Sequence, residues 1–232
     1  MRILQPTIRG RLIRRYKRFL ADIELEDGTV LTAHCPNTGS LRGCCEVGSR
    51  VILRDSENPK RKLRYTLQTI EVQDTWVNVD TTLPNPLVAE AVSSQSIPAL
   101  RGYQSLRREV PYGKNSRIDL LLEKPRGALC YVEVKATTLV EGSQARFPDA
   151  VTERGRKHLI ELMGMVNSGH RAVMFYVVAR SDVRSFAPAD DIDPIYGQTL
   201  RKALDVGVEA LAYSTNVQPA SLDLGKRLAI RI

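Results

Sequence analysis

The stretch Arg117-Ile118-Asp119-Leu120 and, beyond a turn signal at Lys124-Pro125-Arg126-Gly127, the stretch Tyr131-Val132-Glu133-Val134-Lys135 decide how this chain folds. Both read as strands of one hairpin, apolar and bounded by turn residues. Side chains alternate across a strand, so Glu133 and Lys135 share one face while Val132 and Val134 take the other. A register that sets Asp119 beside Glu133 gathers two carboxylates and an ammonium group at one edge of a sheet. Charges inside apolar strands are costly to bury unless they meet partners or a metal. Carboxylate oxygens are hard ligands that suit Mg²⁺ or Mn²⁺ held together with water and a substrate phosphate. Lys135 is then placed to orient or help deprotonate an attacking water, while the metal stabilises charge on the phosphate.

Outward from this pair, Leu83-Pro84-Asn85-Pro86 punctuates the chain before a helical pattern over 87–94. Strands are expected over 107–112, 117–123 and 129–137, with turn signals at 113–115 and 124–127. Pro148 and Asp149 open a long amphipathic pattern that closes at Gly169. Residues 171–180 bracket an all-apolar strand, followed by a helix over 194–206 and a strand over 208–213. The order of elements and the D-x13-E-x-K spacing resemble the PD-(D/E)XK nuclease superfamily, with Ile118 where some members carry proline. That resemblance implies catalytic roles for Asp119, Glu133 and Lys135, and a metal held by Asp119, Glu133 and Glu90, the last from the first helix. On the later helix, Arg154 and His158 are four apart and share a face, so Arg154, Lys157 and His158 are expected to contact a phosphate. Gly155 within that helix costs about 1 kcal/mol against Ala and points to a close backbone approach.

The first eighty residues read as short strands at 8–13, 20–25, 30–34, 51–54, 63–72 and 76–79, with Asp27-Gly28 as a hairpin turn. This pattern predicts a small β-barrel, OB-like in the first instance, with an SH3-like barrel fitting nearly as well. The domains expected are 1–82 and 83–232, α/β in class (α+β overall): a barrel followed by a nuclease-like mixed-sheet domain. Seven basic side chains and no acid lie between Arg2 and Arg18, and Lys60, Arg61, Lys62 and Arg64 follow after Arg54. Two such runs in one small domain, with Tyr16 and Phe19 interleaved, favour DNA as partner through Arg14, Arg15, Lys17, Arg18, Lys60, Arg61 and Lys62.

The whole chain has 232 residues, 43% hydrophobic and 26% charged, with a formal net charge of +8. That composition excludes a disordered or collagenous chain. The longest apolar run, 172–179, is far short of the roughly 18 residues a spanning helix needs. Without a secretory pattern, a cytoplasmic, nucleoid-associated protein is expected, and no membrane partner. The absence of a phosphate loop, dinucleotide fingerprint or nucleophile elbow removes support for nucleotide cofactors and serine hydrolysis. Zinc at His34, Cys35, Cys44 and Cys45 is disfavoured, because adjacent cysteines do not give two tetrahedral ligands easily.

Five motifs in order, Arg15-Tyr16-Lys17-Arg18-Phe19-Leu20-Ala21-Asp22, His34-Cys35-Pro36-Asn37-Thr38-Gly39, Ser116-Arg117-Ile118-Asp119, Tyr131-Val132-Glu133-Val134-Lys135 and Phe147-Pro148-Asp149-Ala150-Val151-Thr152-Glu153-Arg154-Gly155, resemble the bacterial sugar fermentation stimulation protein family. The resemblance implies an OB-like domain joined to a nuclease-like one, DNA binding without sequence preference, and a link to sugar, notably maltose, metabolism. It does not imply an established nuclease activity. The alternative to a binding protein is a nuclease dependent on Mg²⁺ or Mn²⁺. Whether the chain forms a homodimer is left open by its sequence.

Overall fold

The computed structural model describes residues 1, 6–113 and 116–232. Arg2 and the Lys114-Asn115 part of the 113–115 turn lie outside the described residues. Strands β1 (Thr7–Tyr16), β2 (Leu20–Leu25), β3 (Val30–His34), β4 (Arg50–Asp55) and β5 (Tyr65–Val72) pair in the order β3-β2-β1-β4-β5. β5 returns to β3 through a parallel contact between His34 and Thr66, which closes the barrel, and β6 (Thr75–Asn78) pairs with β5. This five-stranded closure is OB-like rather than SH3-like. Gly28 occupies the left-handed region at φ 81° in the β2–β3 turn, as a tight hairpin requires. Leu12, Ile23, Leu53, Leu67 and Ile70 fill the barrel.

The second domain begins with α1 (Pro84–Ser93), whose prolines stand at the start, where a missing N–H costs nothing. Then come β7 (Ser105–Tyr112), β8 (Ser116–Glu123), β9 (Leu129–Thr137), β10 (Val140–Glu141), β11 (Gln144–Phe147) and α2 (Glu153–Asn167). β12 (Arg171–Val178), β13 (Ser185–Pro188), α3 (Pro194–Val206), β14 (Glu209–Gln218), β15 (Ser221–Arg227) and β16 (Ala229–Ile230) complete it. A mixed sheet runs β15-β14-β12-β9-β8-β7, with β9, β12 and β14 parallel at its centre. One face packs on α1 and the other on α2 and α3. A small sheet, β10-β11-β13-β16, lies beside it.

Three expectations shift. α2 starts at Glu153 rather than near Pro148, because the Thr152 hydroxyl accepts from Gly155 N at 3.0 Å and caps the helix there. The small sheet and β15 are added, and the last central strand runs on to Gln218. Gly155 is buried against α3, where an added Cβ would stand 3.2 Å from Tyr196 Cε2 and closer still to Thr152.

The domains are joined by specific contacts. Asn78 N donates to Ala179 O at 2.9 Å, and Ala179 itself belongs to the barrel core. The Asp149 carboxylate accepts from Ser40 Oγ at 3.1 Å and Leu41 N at 3.2 Å, which sets the loop after β3 against the segment leading into α2.

Candidate active site

β8 and β9 pair antiparallel from Glu123 opposite Leu129 to Leu120 opposite Val132, and there the ladder ends. Beyond that point the side chain of Asp119 takes over from the backbone. Its Oδ2 accepts from Val134 N at 2.7 Å, and its Oδ1 accepts from Asn85 Nδ2, on α1, at 2.6 Å. Ile118 and Leu121 both pack into the α2-side core although they are three apart, so strand alternation breaks at Asp119. Glu109, between Arg108 and Val110 on the adjoining edge strand, is held at φ 52°. A non-glycine residue in that region costs about 1–3 kcal/mol and persists only where its surroundings impose it.

Glu133 and Lys135 point to α2. Glu133 Oε1 accepts from Lys135 Nζ at 2.6 Å and also meets His158 Nδ1, while the Glu133 side chain is 3% exposed. Lys135 Nζ lies 3.2 Å from the same ring nitrogen. That nitrogen cannot donate to a carboxylate and accept from an ammonium group at once. The tautomer protonated on Nδ1 fits, because it leaves Nε2 to accept from Arg154 Nε at 3.4 Å. Glu133 Oε2 is buried with no hydrogen-bond partner.

The two carboxylates are unlike. Burial, then the charge of Glu133, pushes Asp119 up to about 6, against the opposing bonds from Val134 and Asn85 and the charge of Lys135. Burial acts to raise Glu133 as well, but the bonds and charges of His158 and Lys135 outweigh it and hold Glu133 below its ordinary value. At neutral pH the site carries two neighbouring negative charges, with the compensating Lys135 ammonium held on Glu133 Oε1. Among the described residues no three His, Cys, Asp or Glu side chains come together in an arrangement that could hold a metal ion. A hydrated Mg²⁺ or Mn²⁺ needs only one or two carboxylates, and the unpartnered Glu133 Oε2 beside a destabilised Asp119 fits such an ion.

An open cleft of about 450 Å³ reaches Asp119 and His158, with Glu109, Arg117, Arg154 and Lys157 around it. The structure therefore brings Asp119, Glu133, Lys135, His158 and Arg154 together. It corrects three expectations. Glu90 lies on the outer face of α1, its side chain 58% exposed and 3.3 Å from the Met1 amino group, so it does not reach the site. Asn85, five residues earlier, is the α1 side chain that does, and its place beside the punctuating prolines was the only sequence cue. His158 is buried beneath Glu133 and holds that carboxylate rather than a phosphate.

Arg15 is the third correction. Its Nη2 donates to the carbonyls of Arg18, Asn37 and Gly39 at 2.7–2.8 Å, which makes it the clamp of the 36–40 loop. Lys17 and Arg18 form the exposed hairpin tip between β1 and β2, with φ 48° and 66°. Arg14 is exposed, paired with Asp22 at 2.7 Å and laid over the Tyr16 ring. Lys60, Arg61 and Lys62 are exposed on the β4–β5 loop. Through Arg15 the hairpin tip abuts the 36–40 loop, and through Asp149 that loop abuts the segment leading into α2.

A family model for the SfsA N-terminal OB domain matches residues 13–79, and one for the sugar fermentation stimulation protein RE domain matches residues 82–221. The chain belongs to the sugar fermentation stimulation protein family. Homologs of that name from Geobacter sulfurreducens and Geotalea uraniireducens are 55% and 53% identical to it, covering 97% and 100% of both chains. The structure of Pyrococcus furiosus SfsA, solved in complex with Ca²⁺, is similar over 100% of both chains, at 27% identity and a TM-score of 0.90. No helix among the described residues is long and apolar enough to cross a membrane.

Proposed function

We propose that this protein binds DNA and hydrolyses its phosphodiester bonds with the help of a divalent cation. The observation that carries this reading is the buried carboxylate pair, in which Glu133 keeps one oxygen without a partner and Asp119 bears its charge at a cost. The Ca²⁺ complex of the Pyrococcus furiosus relative supports a cation in this fold. Asp119 and Glu133 would hold the ion, which when bound supplies charge stabilisation at the phosphate oxygens.

The chain's own groups divide the remaining work. Lys135 gives one N–H to Glu133 and keeps its others for the attacking water or a phosphate oxygen. His158 fixes the Glu133 carboxylate from beneath. Arg154, Lys157 and Arg117 around the cleft neutralise flanking phosphates, and Arg14, Lys17, Arg18 and the 60–62 run extend the grip along the barrel.

The test is cleavage of labelled single- and double-stranded DNA with Mg²⁺, Mn²⁺ or EDTA, with Asp119→Ala as control. Metal-dependent cutting that is lost in the variant is the expected result. Binding without cutting under every condition overturns the hydrolytic reading. It would favour the second one, a DNA-binding protein that regulates sugar metabolism, including maltose use, for which the excess of 34 basic over 26 acidic residues speaks.

A further inference from the structure

On the barrel, at the end of β1 away from the Lys17-Arg18 tip, a pocket of about 510 Å³ opens beside the second domain. Its volume falls within the roughly 300–1,000 Å³ of small-molecule sites, and none of its lining residues belongs to the cleft at Asp119. Part of the lining is apolar. It consists of Trp76 on β6 and Pro219 in the β14–β15 turn, both half-buried, and Gln68 Nε2 ties that turn to the barrel by donating to Pro219 O at 3.4 Å. The rest is largely charged, with Arg9 and Arg11 on β1, and Glu24 and Glu26 on and just beyond β2.

These four side chains are exposed, and among the described residues Arg9, Glu24 and Glu26 have no ion-pair or side-chain hydrogen-bond partner. Arg11 gives one donor to Gly48 O at 3.1 Å and keeps the others. Arg50, which also lines the pocket, is already clasped by both carboxylate oxygens of Glu71. The remaining charges balance, two guanidinium groups against two carboxylates. A phosphate drawn to the arginines would meet the carboxylates beside them, since Glu24 is the cross-strand partner of Arg11. A neutral ligand is spared that repulsion. Guanidinium groups only donate and carboxylates only accept, so the ligand has to offer acceptors and donors along one edge. A hydroxyl does both, and adjacent hydroxyls on a ring match the forked geometry of the two side-chain types. Trp76 and Pro219 then cover the apolar C–H face of such a ring and remove it from water.

We infer that this pocket binds a neutral carbohydrate of one or two rings, stacked on Trp76 and hydrogen-bonded by Arg9, Arg11, Glu24 and Glu26. Because the lining comes from both domains, the bound sugar stabilises their association. The site is independent of the proposed reaction centre.

Trp76 is the chain's single tryptophan, so its emission reports on this pocket alone. Titrating the full chain with neutral hexoses and disaccharides, glucose and maltose among them, should shift or quench that emission saturably in the millimolar range. Glu24→Gln leaves the reporter in place and should weaken the tightest-binding sugar about tenfold, the difference between a charged and a neutral hydrogen bond. Arg9→Ala should weaken it at least as much. Deoxyadenosine monophosphate should bind the parent more weakly than that sugar and gain affinity in Glu24→Gln, where one carboxylate no longer repels it. No saturable response to any sugar of the panel, equal sugar affinity in the parent and both variants, or tighter binding of the nucleotide overturns the inference. Sugar binding without DNA cleavage under any condition would uphold it and sink only the nuclease reading.

Discussion

The two faces of β9 differ as much as any two regions of the molecule. On the α1 side, Val132 and Val134 meet Leu120, Phe175 and Tyr213 in an apolar cluster, and Phe175 stacks on Tyr213 with ring centroids 5.3 Å apart. On the α2 side, Glu133 between the two valines and Lys135 just beyond them bring charge under cover, their side chains 3% and 15% exposed. The apolar face holds the strand rigid, and that rigidity keeps two charged side chains at fixed separation on the other. Strand alternation thus lets nine residues serve stability and chemistry at once.

Lys135→Ala breaks the charged face with the largest expected effect. Cleavage should fall by about 10²–10⁴-fold, the range for losing a positioned proton-handling group. DNA affinity should change only a few-fold, since one cation among many that meet phosphates contributes little. Gel-based cleavage and fluorescence anisotropy on the same preparation check both halves. Phe175→Ala breaks the apolar face instead. Removing a fully buried, stacked ring should cost about 3–5 kcal/mol of stability in urea unfolding. If the faces are independent, the Mn²⁺ affinity of the folded fraction stays as in the parent.

Asp119→Asn sharpens the comparison through pH. The folded Asp119 carboxyl is pushed up to about 6, above its ordinary value. A raised acid contributes stability that is whole at low pH and lost as pH rises through the folded value. The variant should therefore be more stable than the parent above about pH 6, by ~1–3 kcal/mol, and the advantage should disappear below about pH 4. Mg²⁺ should restore the parent and leave the variant nearly unmoved. A difference between the two that does not vary with pH would show that the Asp119 charge is not strained. The depressed Glu133 acts in the opposite direction, losing stability as pH falls.

The same contrast explains what the sequence reveals. The runs 20–25, 30–34, 129–137 and 194–206 coincide with β2, β3, β9 and α3, since each has a clean period bounded by turn or capping residues. Strands β10, β11, β13 and β16 have two to four residues, too few for any period to show. Glu90 falls on the other side of α1 for a geometric reason. It lies five residues after Asn85, about 140° around a helix from the side chain that touches Asp119. Leu87, Val88, Ala91 and Val92 already occupy the buried stripe, so Glu90 has to face water. His158 and Arg15 have identities that suit phosphate binding, and only their tertiary partners show that one holds a carboxylate and the other a loop.

Arg15 and its neighbours give the smallest effect and the closest test of that last point. Four basic residues lie within the span 14–18, yet their environments divide them. Lys17 and Arg18 are exposed at a hairpin tip, while Nη2 of Arg15 is turned onto three backbone carbonyls. A charge directed at carbonyls has few donors left for phosphate. Replacing Lys17 and Arg18 by alanine should weaken DNA binding and reduce the slope of log affinity against log salt by about 0.9 for each phosphate no longer neutralised, with thermal stability unchanged. Arg15→Ala should do the reverse, leaving the slope near the parent value while lowering the melting temperature, because the carbonyls of Asn37 and Gly39 lose their donor. If Arg15→Ala flattens the salt slope as much as the tip variant does, its guanidinium leaves the loop to meet DNA, and the division between clamp and grip fails.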